Sequence, residues 1–312
     1  MDENFETMNV MFSSDDNYAQ HMGVAIYSLL EHNKDFPHIR IFLIENGIAS
    51  ANREKLEQIV YGFKNTSLHW VSFAEWKNQL KLDLAWPISL SSYARLFVAS
   101  MVPEDVARIL YLDCDMIICD SLQELWNTDL REKTLGAVQD FINDQTKASV
   151  GVLPQGKYFN AGMLLIDLEQ WRKQGVEQAC LKFIAEHGGN VTHHDQGVLN
   201  GVLKNDCTIL PIRYNLMTIH YIFDRRRLNK YFQDHAAFYT TEEIAEAKNK
   251  PAILHFTPSF TSRPWVKDCK HPYRDQYWDV LKKTPWHGAE AERNKAKWYV
   301  KLINWRYRNL PY

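Results

Sequence analysis

The chain predicts an α/β fold, a mostly parallel sheet with helices on both faces. Three observations carry that expectation. Short apolar runs of strand length alternate with stretches of helical periodicity through the first half. Polar and acidic residues follow directly on two of the apolar runs, at Asp15 and at Asp113, as expected where strands end at a binding edge. No internal repeat or low-complexity linker interrupts the pattern, so one continuous domain is preferred.

The elements follow in order. Asn9–Ser14 (NVMFSS) reads as a buried strand with polar residues at its end, and a helix pattern follows over Gly23–His32. Ile39–Ile44 is the second strand. Ala51–Phe63 is an amphipathic helix, because Leu56, Ile59, Val60 and Phe63 recur at i, i+3, i+4 and i+7. Ser67–Phe73 reads as a third strand, and Ser91–Met101 as a helix capped by Ser91 or Ser92. Arg108–Tyr111 opens an apolar strand that stops at Asp113. Beyond residue 135 the pattern loosens. Leu135–Val138 and Ala161–Ile166 read as strands, Leu168–Lys173 and Gln196–Leu203 as helices, and Pro251–Phe256 as a last strand carrying His255.

Composition excludes several classes. With 312 residues and 46% hydrophobic content the chain is globular, not disordered. A formal charge of −2 gives no basic footprint for nucleic acid. The five cysteines, an odd number without metal-knuckle spacing, favour a reducing compartment. The start, MDENFETMNV, is acidic and lacks the apolar core of a secretory signal. No apolar run is long enough to span a bilayer, so a cytoplasmic location is expected.

Several groups carry candidate chemistry. Asp113-Cys114-Asp115 places two hard carboxylate ligands at a strand end, as a cation bridging a diphosphate requires; the plainer reading is a capped turn. His255 would reach the same edge if its strand ran parallel to the others; the plainer reading is a hydrogen-bonded core histidine. His193-His194-Asp195-Gln196 opens a helix, and Asp195 and Gln196 supply the donors and acceptors that a polyhydroxylated ligand needs. Metal binding by the adjacent histidines is discounted, since neighbours on a helix point apart. Arg95 is either a snorkelling surface residue or a charge facing phosphate or sugar oxygens. From Arg293 to the end, basic residues interleave with aromatics and no Asp or Glu occurs. Trp298, Leu302 and Trp305 share one helical face, which suits an anionic membrane surface better than nucleic acid; packing against the domain is the plainer alternative.

Six segments, in this order, resemble glycosyltransferase family 8, in particular the bacterial lipopolysaccharide α-galactosyl- and α-glucosyltransferases. They are FSSDDNYAQHMGVAIYSL, ISLSSYARL, ILYLDCDMIICDSLQELWNTDL, YFNAGMLLIDLEQWR, HHDQGVLNG and HFTPSFTSRPW, and the similarity covers roughly residues 8–286. The resemblance implies a Rossmann-like GT-A fold, a UDP-hexose donor (UDP-galactose or UDP-glucose), Mn²⁺ or else Mg²⁺, and retention of the α-configuration. It places Ser13, Asp15, Asn17 and Tyr18 at the uridine, and Arg95, Asp113, Asn160, Asp195 and Gln196 at the donor sugar. Asp113, Asp115 and His255 match the metal ligands, with Cys114 between the carboxylates, and Asp140 matches a position near the acceptor. Gln196, Asp195 and Asp140 are thus the candidate catalytic residues. The family pattern closes on a Gly-containing loop and Lys-Pro-Trp; here a longer Gly-free loop, FTPSFTS, leads to Arg263-Pro264-Trp265, and Arg263 takes the lysine's place at the diphosphate.

The expectation is therefore a metal-dependent retaining hexosyltransferase. Its catalytic domain would span residues 1–286 and its membrane-association tail residues 287–312. Its acceptor would be a glycan or glycolipid in lipopolysaccharide, capsule or other cell-surface glycan synthesis, at the inner face of the cell membrane. The alternatives are a self-glucosylating, glycogenin-like initiator and a non-catalytic nucleotide-sugar-binding protein.

Overall fold

The computed structural model describes residues 6–83, 89–258 and 260–309, without the side chains of 307–309. Ile88, Ser259 and Tyr312, and the side chains of Tyr307 and Arg308, lie outside the described residues.

Ten strands are described: β1 (Thr7–Ser14), β2 (His38–Glu45), β3 (Thr66–Ser72), β4 (Arg108–Leu112), β5 (Met116–Ile118), β6 (Leu135–Gln139), β7 (Phe159–Asp167), β8 (Cys207–Ile209), β9 (Leu216–Met217) and β10 (Ile253–His255). Seven form one sheet in the order β3-β2-β1-β4-β7-β6-β8. Only β7 runs antiparallel to its neighbours β4 and β6. The expected α/β architecture is present.

Strand periodicity builds the core on both faces. Side chains alternate along a strand. Val10 and Phe12 of β1 therefore join Ile39, Ile41 and Leu43 of β2 on one face, under the helices Ala19–His32 and Ser50–Tyr61. Met11 joins Phe42 and Ile44 on the other, which the helices Val176–Glu186 and His194–Leu203 cover. With both faces covered, the central strands carry near-continuous apolar runs.

Two local readings change. The segment expected as a helix over Ser91–Met101 is a 3₁₀ stretch, Leu90–Phe97, and its cap is Ser89, whose side chain accepts from Ser91 N–H. Ser91 and Ser92 are used elsewhere: Ser13 Oγ donates to the Ser91 carbonyl, and Ser92 Oγ donates to Asp195. Tertiary hydrogen bonds here override local propensity.

The second change concerns His255. Its strand is not parallel to the others within the main sheet. It lies in a separate three-stranded sheet, β5-β10-β9, antiparallel to β5 and parallel to β9. The chain leaves β4 at Leu112, turns through Asp113-Cys114-Asp115 and enters β5 at Met116, so the acidic triplet is the step between the two sheets. His255 pairs with Met116, and Phe256 N–H donates to the Asp115 carbonyl at 2.8 Å. His255 reaches the carboxylates through that pairing.

Candidate functional site

A cleft of about 470 Å³ opens where β1 and β4 end. Ser13, Asp15, Tyr18, Arg95, Asp113, Cys114, Asp115 and Arg263 line it, as do several residues that the sequence did not single out, Ser89 and Tyr111 among them. Asp15 caps the turn after β1 by accepting from Asn17 N–H, and Ser89 Oγ donates to its other oxygen at 2.7 Å. Asn17 itself is exposed in that turn, outside the cleft lining.

Arg95 is buried, which decides against the snorkelling reading. Its Nη2 donates to Asp113 Oδ1 at 2.7 Å, its Nε lies 3.0 Å from Asp195 Oδ2, and its Nη1 donates to the Ala161 carbonyl. The guanidinium also lies over the Tyr111 ring, 4.4 Å from its centroid.

Asp113, Asp115 and His255 each offer a ligand atom within 4.8 Å of the others, the single such group of three among the described residues. His255 Nε2 is 3.2 Å from Asp115 Oδ1 and 3.9 Å from Asp113 Oδ2. Arg263 donates to Asp115 Oδ2 through Nε at 3.1 Å and Nη2 at 2.9 Å. Burial pushes the Asp113 pKa up; Arg95 opposes this, Asp115 reinforces it, and the carboxyl lies above its ordinary value. Burial acts upward on Asp115 too, but His255 and Arg263 outweigh it and hold this carboxyl well below the usual range. Burial first, then the two carboxylates, push the Cys114 thiol well up, so it is not a ready nucleophile.

The donor set suits a divalent cation. Three buried or half-buried carboxylates, Asp113, Asp115 and Asp195, face two guanidinium groups, which leaves room for positive charge. Two carboxylates beside one imidazole offer a mixed oxygen and nitrogen donor set. Space is reserved as well. Antiparallel pairing of β4 with β7 sets Asp113 N–H against the Gly162 carbonyl at 2.8 Å. A Cβ on Gly162 would sit 2.4 Å from His255 Cε1 and 2.8 Å from Asp113 Oδ2, so only glycine fits behind the ligands. Sequence reasoning missed Gly162, although it lies in the quoted segment YFNAGMLLIDLEQWR; the signal is a glycine inside an apolar strand.

The remaining expected residues form an adjoining network. His193 and His194 both have positive φ, and this turn leads into the helix that carries Asp195 and Gln196. Gln196 Oε1 accepts from Ala161 N–H and from Asn160 Nδ2, both at 3.1 Å. Gln196 Nε2 donates to Asp140 Oδ2 at 3.0 Å, and Asn160 Nδ2 reaches the same oxygen at 3.2 Å. Buried Asn200 holds this arrangement together by bonding both backbone groups of Phe159 and the Gln196 carbonyl. Arg95 joins the network to Asp113, and Asn215, a second residue missed in the sequence, joins it to His255.

Residues 9–269 match the sequence model of a family described as Glycosyl transferase family 8. General stress protein A of Bacillus subtilis is 29% identical over 285 residues, covering 90% of this chain and 96% of that protein. The lipopolysaccharide 1,2-glucosyltransferase of Escherichia coli is 24% identical over 297 residues, covering 94% and 83%. Among solved structures, the galactosyltransferase LgtC in complex with donor and acceptor sugar analogues superposes with a TM-score of 0.74 at 27% identity, covering 90% of this chain and 99% of that one.

Replacing Gly162 tests the packing behind the ligands. Gly162→Ala is expected to keep the far-ultraviolet circular dichroism of the parent while losing the rise in unfolding temperature expected when Mn²⁺ is added to the parent. An undiminished Mn²⁺ response would show that the Cβ is accommodated without moving His255 or Asp113.

Proposed function

This chain belongs to glycosyltransferase family 8, and we propose that it moves a hexose, galactose or glucose, from a UDP-sugar to a sugar acceptor of a cell-surface glycan with retention of configuration. The observation that carries this reading is the convergence of Asp113, Asp115 and His255, two of which line the cleft that Arg263 also lines. The names of the relatives support the substrate class, since one is a lipopolysaccharide 1,2-glucosyltransferase and another was solved with donor and acceptor sugar analogues.

A Mn²⁺ ion held by Asp113, Asp115 and His255 would neutralise charge on the departing nucleoside diphosphate. Ser13, Asp15 and Tyr18 suit the nucleoside end of the donor, with Asn17 at the rim. Arg95, Asn160 and Asp195 suit the hexose hydroxyls, and Cys114 packs between the ligands. Arg263 is parked on Asp115, and a diphosphate offers its guanidinium a competing bidentate partner. Its charge would then stabilise the leaving group.

Retention requires either a covalent intermediate or attack on the face that the nucleotide leaves. Gln196 is an amide, and its oxygen already accepts from Ala161 N–H and Asn160. That supports same-face attack, with acceptor and UDP on one face of an oxocarbenium-like sugar. The acceptor oxygen bonds to the anomeric carbon as the bond to UDP breaks, and a phosphate oxygen takes the acceptor proton. The Gln196 amide group would steady the developing positive charge and, with Asp140, orient the acceptor.

The tail belongs to the same proposal. Its helix, Trp298–Asn309, exposes Trp298, Leu302 and Trp305, which supports docking on an anionic membrane from the cytoplasmic side. Among the described residues no helix is long and apolar enough to cross a membrane. Backbone hydrogen bonds to the catalytic domain continue to Glu292, whose N–H donates to the Trp265 carbonyl and whose carbonyl accepts from Lys267 N–H, and Asn294 Nδ2 reaches Ser262 Oγ at 3.5 Å.

Four sets of measurements test these readings. In a UDP-sugar panel with Mn²⁺, one UDP-hexose should be turned over. Asp115→Asn should lower kcat on the order of 10²–10³-fold, and full activity in excess chelator would sink the metal reading. Gln196→Glu would set a second carboxylate against Asp140, raising the pKa of one of the pair. Below that pKa the protonated acid still donates to its neighbour, and above it the pair repels. The ratio of variant to parent kcat/KM should therefore fall as pH rises, and a flat ratio would count against the Gln196–Asp140 contact. Removing residues 297–312 should leave donor binding intact and weaken binding to vesicles containing anionic lipid, by about 1 kcal/mol for each basic residue that reaches the surface; unchanged vesicle binding would show that the tail is not the anchor.

A further inference from the structure

His255 turns Nε2 toward the two carboxylates, and it can offer that nitrogen to a cation only if its proton sits on Nδ1. A chain of side-chain amides decides where the proton sits. Gly162 N–H donates to Asn160 Oδ1 at 3.0 Å, and a backbone N–H can only donate. The oxygen of Asn160 is thereby identified. Asn215 Nδ2 donates to that same oxygen at 2.8 Å. The other end of the Asn215 amide, its oxygen, must then face His255 Nδ1, which lies 2.9 Å away. An amide oxygen only accepts, so Nδ1 carries the proton, and of the two neutral tautomers this is the one that leaves the Nε2 lone pair for a ligand.

Building on the metal reading above, we propose that Asn215 is a positioning residue that locks His255 in the Nδ1–H tautomer and so keeps Nε2 available to the cation. Its place is set by pairing between strands: β9 begins one residue after Asn215, and Leu216 and Met217 pair with Leu254 and His255. Asn215 is 0% and His255 4% exposed, so water does not compete for the Nδ1 proton. The orientation of Asn160 serves two sites at once. Its oxygen anchors the relay to His255, and its Nδ2 donates to Gln196 and Asp140. A flipped Asn160 amide would turn like groups toward each of these partners, so the cation ligand and the sugar-facing residues share one polar network.

Two readouts test the relay. In metal-free, ¹⁵N-labelled protein, titrated to alkaline pH until the ring is neutral, long-range ¹H–¹⁵N spectra should show the His255 ring as the Nδ1–H tautomer, assigned by its loss in His255→Ala. In the presence of UDP, Mn²⁺ affinity followed by water-proton relaxation should drop about 10- to 100-fold in Asn215→Ala, the range usual for an outer-shell partner of a metal-binding histidine. Asn215→Asp should recover part of that loss, because a carboxylate still accepts the Nδ1 proton. An Nε2–H tautomer in the parent overturns the proposal, whether or not Asn215→Ala folds. So does parent-like Mn²⁺ affinity in Asn215→Ala when His255→Ala has lost it. Equal Mn²⁺ binding by the parent and His255→Ala is a different failure: it overturns the metal reading and leaves the tautomer signal in place.

Discussion

One buried guanidinium holds the site together. Arg95 ties the 3₁₀ segment to Asp113 after β4, to Ala161 in β7 and to Asp195 at the start of a helix, while its plane rests on Tyr111. Without it, Asp113 and Asp195 would be buried carboxylates with no nearby counter-charge on this side of the cleft. Losing one partner of a buried pair costs about 3–5 kcal/mol. Arg95 and Arg263 together set two positive charges against the three carboxylates of Asp113, Asp115 and Asp195. That residual deficit is what makes the floor of the cleft suited to a cation.

The second constraint is the step between two sheets. Main-chain pairing would ordinarily carry β4 onward, but the chain turns at Asp113-Cys114-Asp115 and pairs β5 with β10 instead. The turn gives the two carboxylates different surroundings. Asp113 faces Arg95 and Tyr111, whereas Asp115 faces His255 and Arg263. Gly162 keeps the space behind them open. Close approach of backbone and ligand side chains is the physical reason for a glycine in an otherwise apolar strand.

Much of this was legible in the residues. Helical spacing of Leu56, Ile59 and Val60 marks a helix whose buried face they form. The apolar run before Asp113 marks a strand aimed at the cleft. Less was legible where one side chain had two uses. Arg95 fits a surface helix as well as a buried ion pair, because spacing alone does not report burial. The serines at 89, 91 and 92 are equal as caps in one dimension, and only their distant partners separate them. Asn17, expected in the site, contributes its backbone N–H to the Asp15 cap and leaves its side chain exposed.

By itself the sequence determined the period of most long elements, the two-faced sheet, the paired carboxylates of the acidic triplet and the family. These are properties of neighbours along the chain, where spacing and side-chain type suffice. Tertiary structure alone decided which groups meet. Asp115 and Arg263 are 148 residues apart, Ser92 and Asp195 are 103 apart, and Asn215 and His255 are 40 apart. Hydrogen bonds act over about 3 Å, so these contacts exist only once strand register brings the segments together. The route of His255 through a second sheet and the proton on its Nδ1 follow from that register, which no spacing in the sequence encodes.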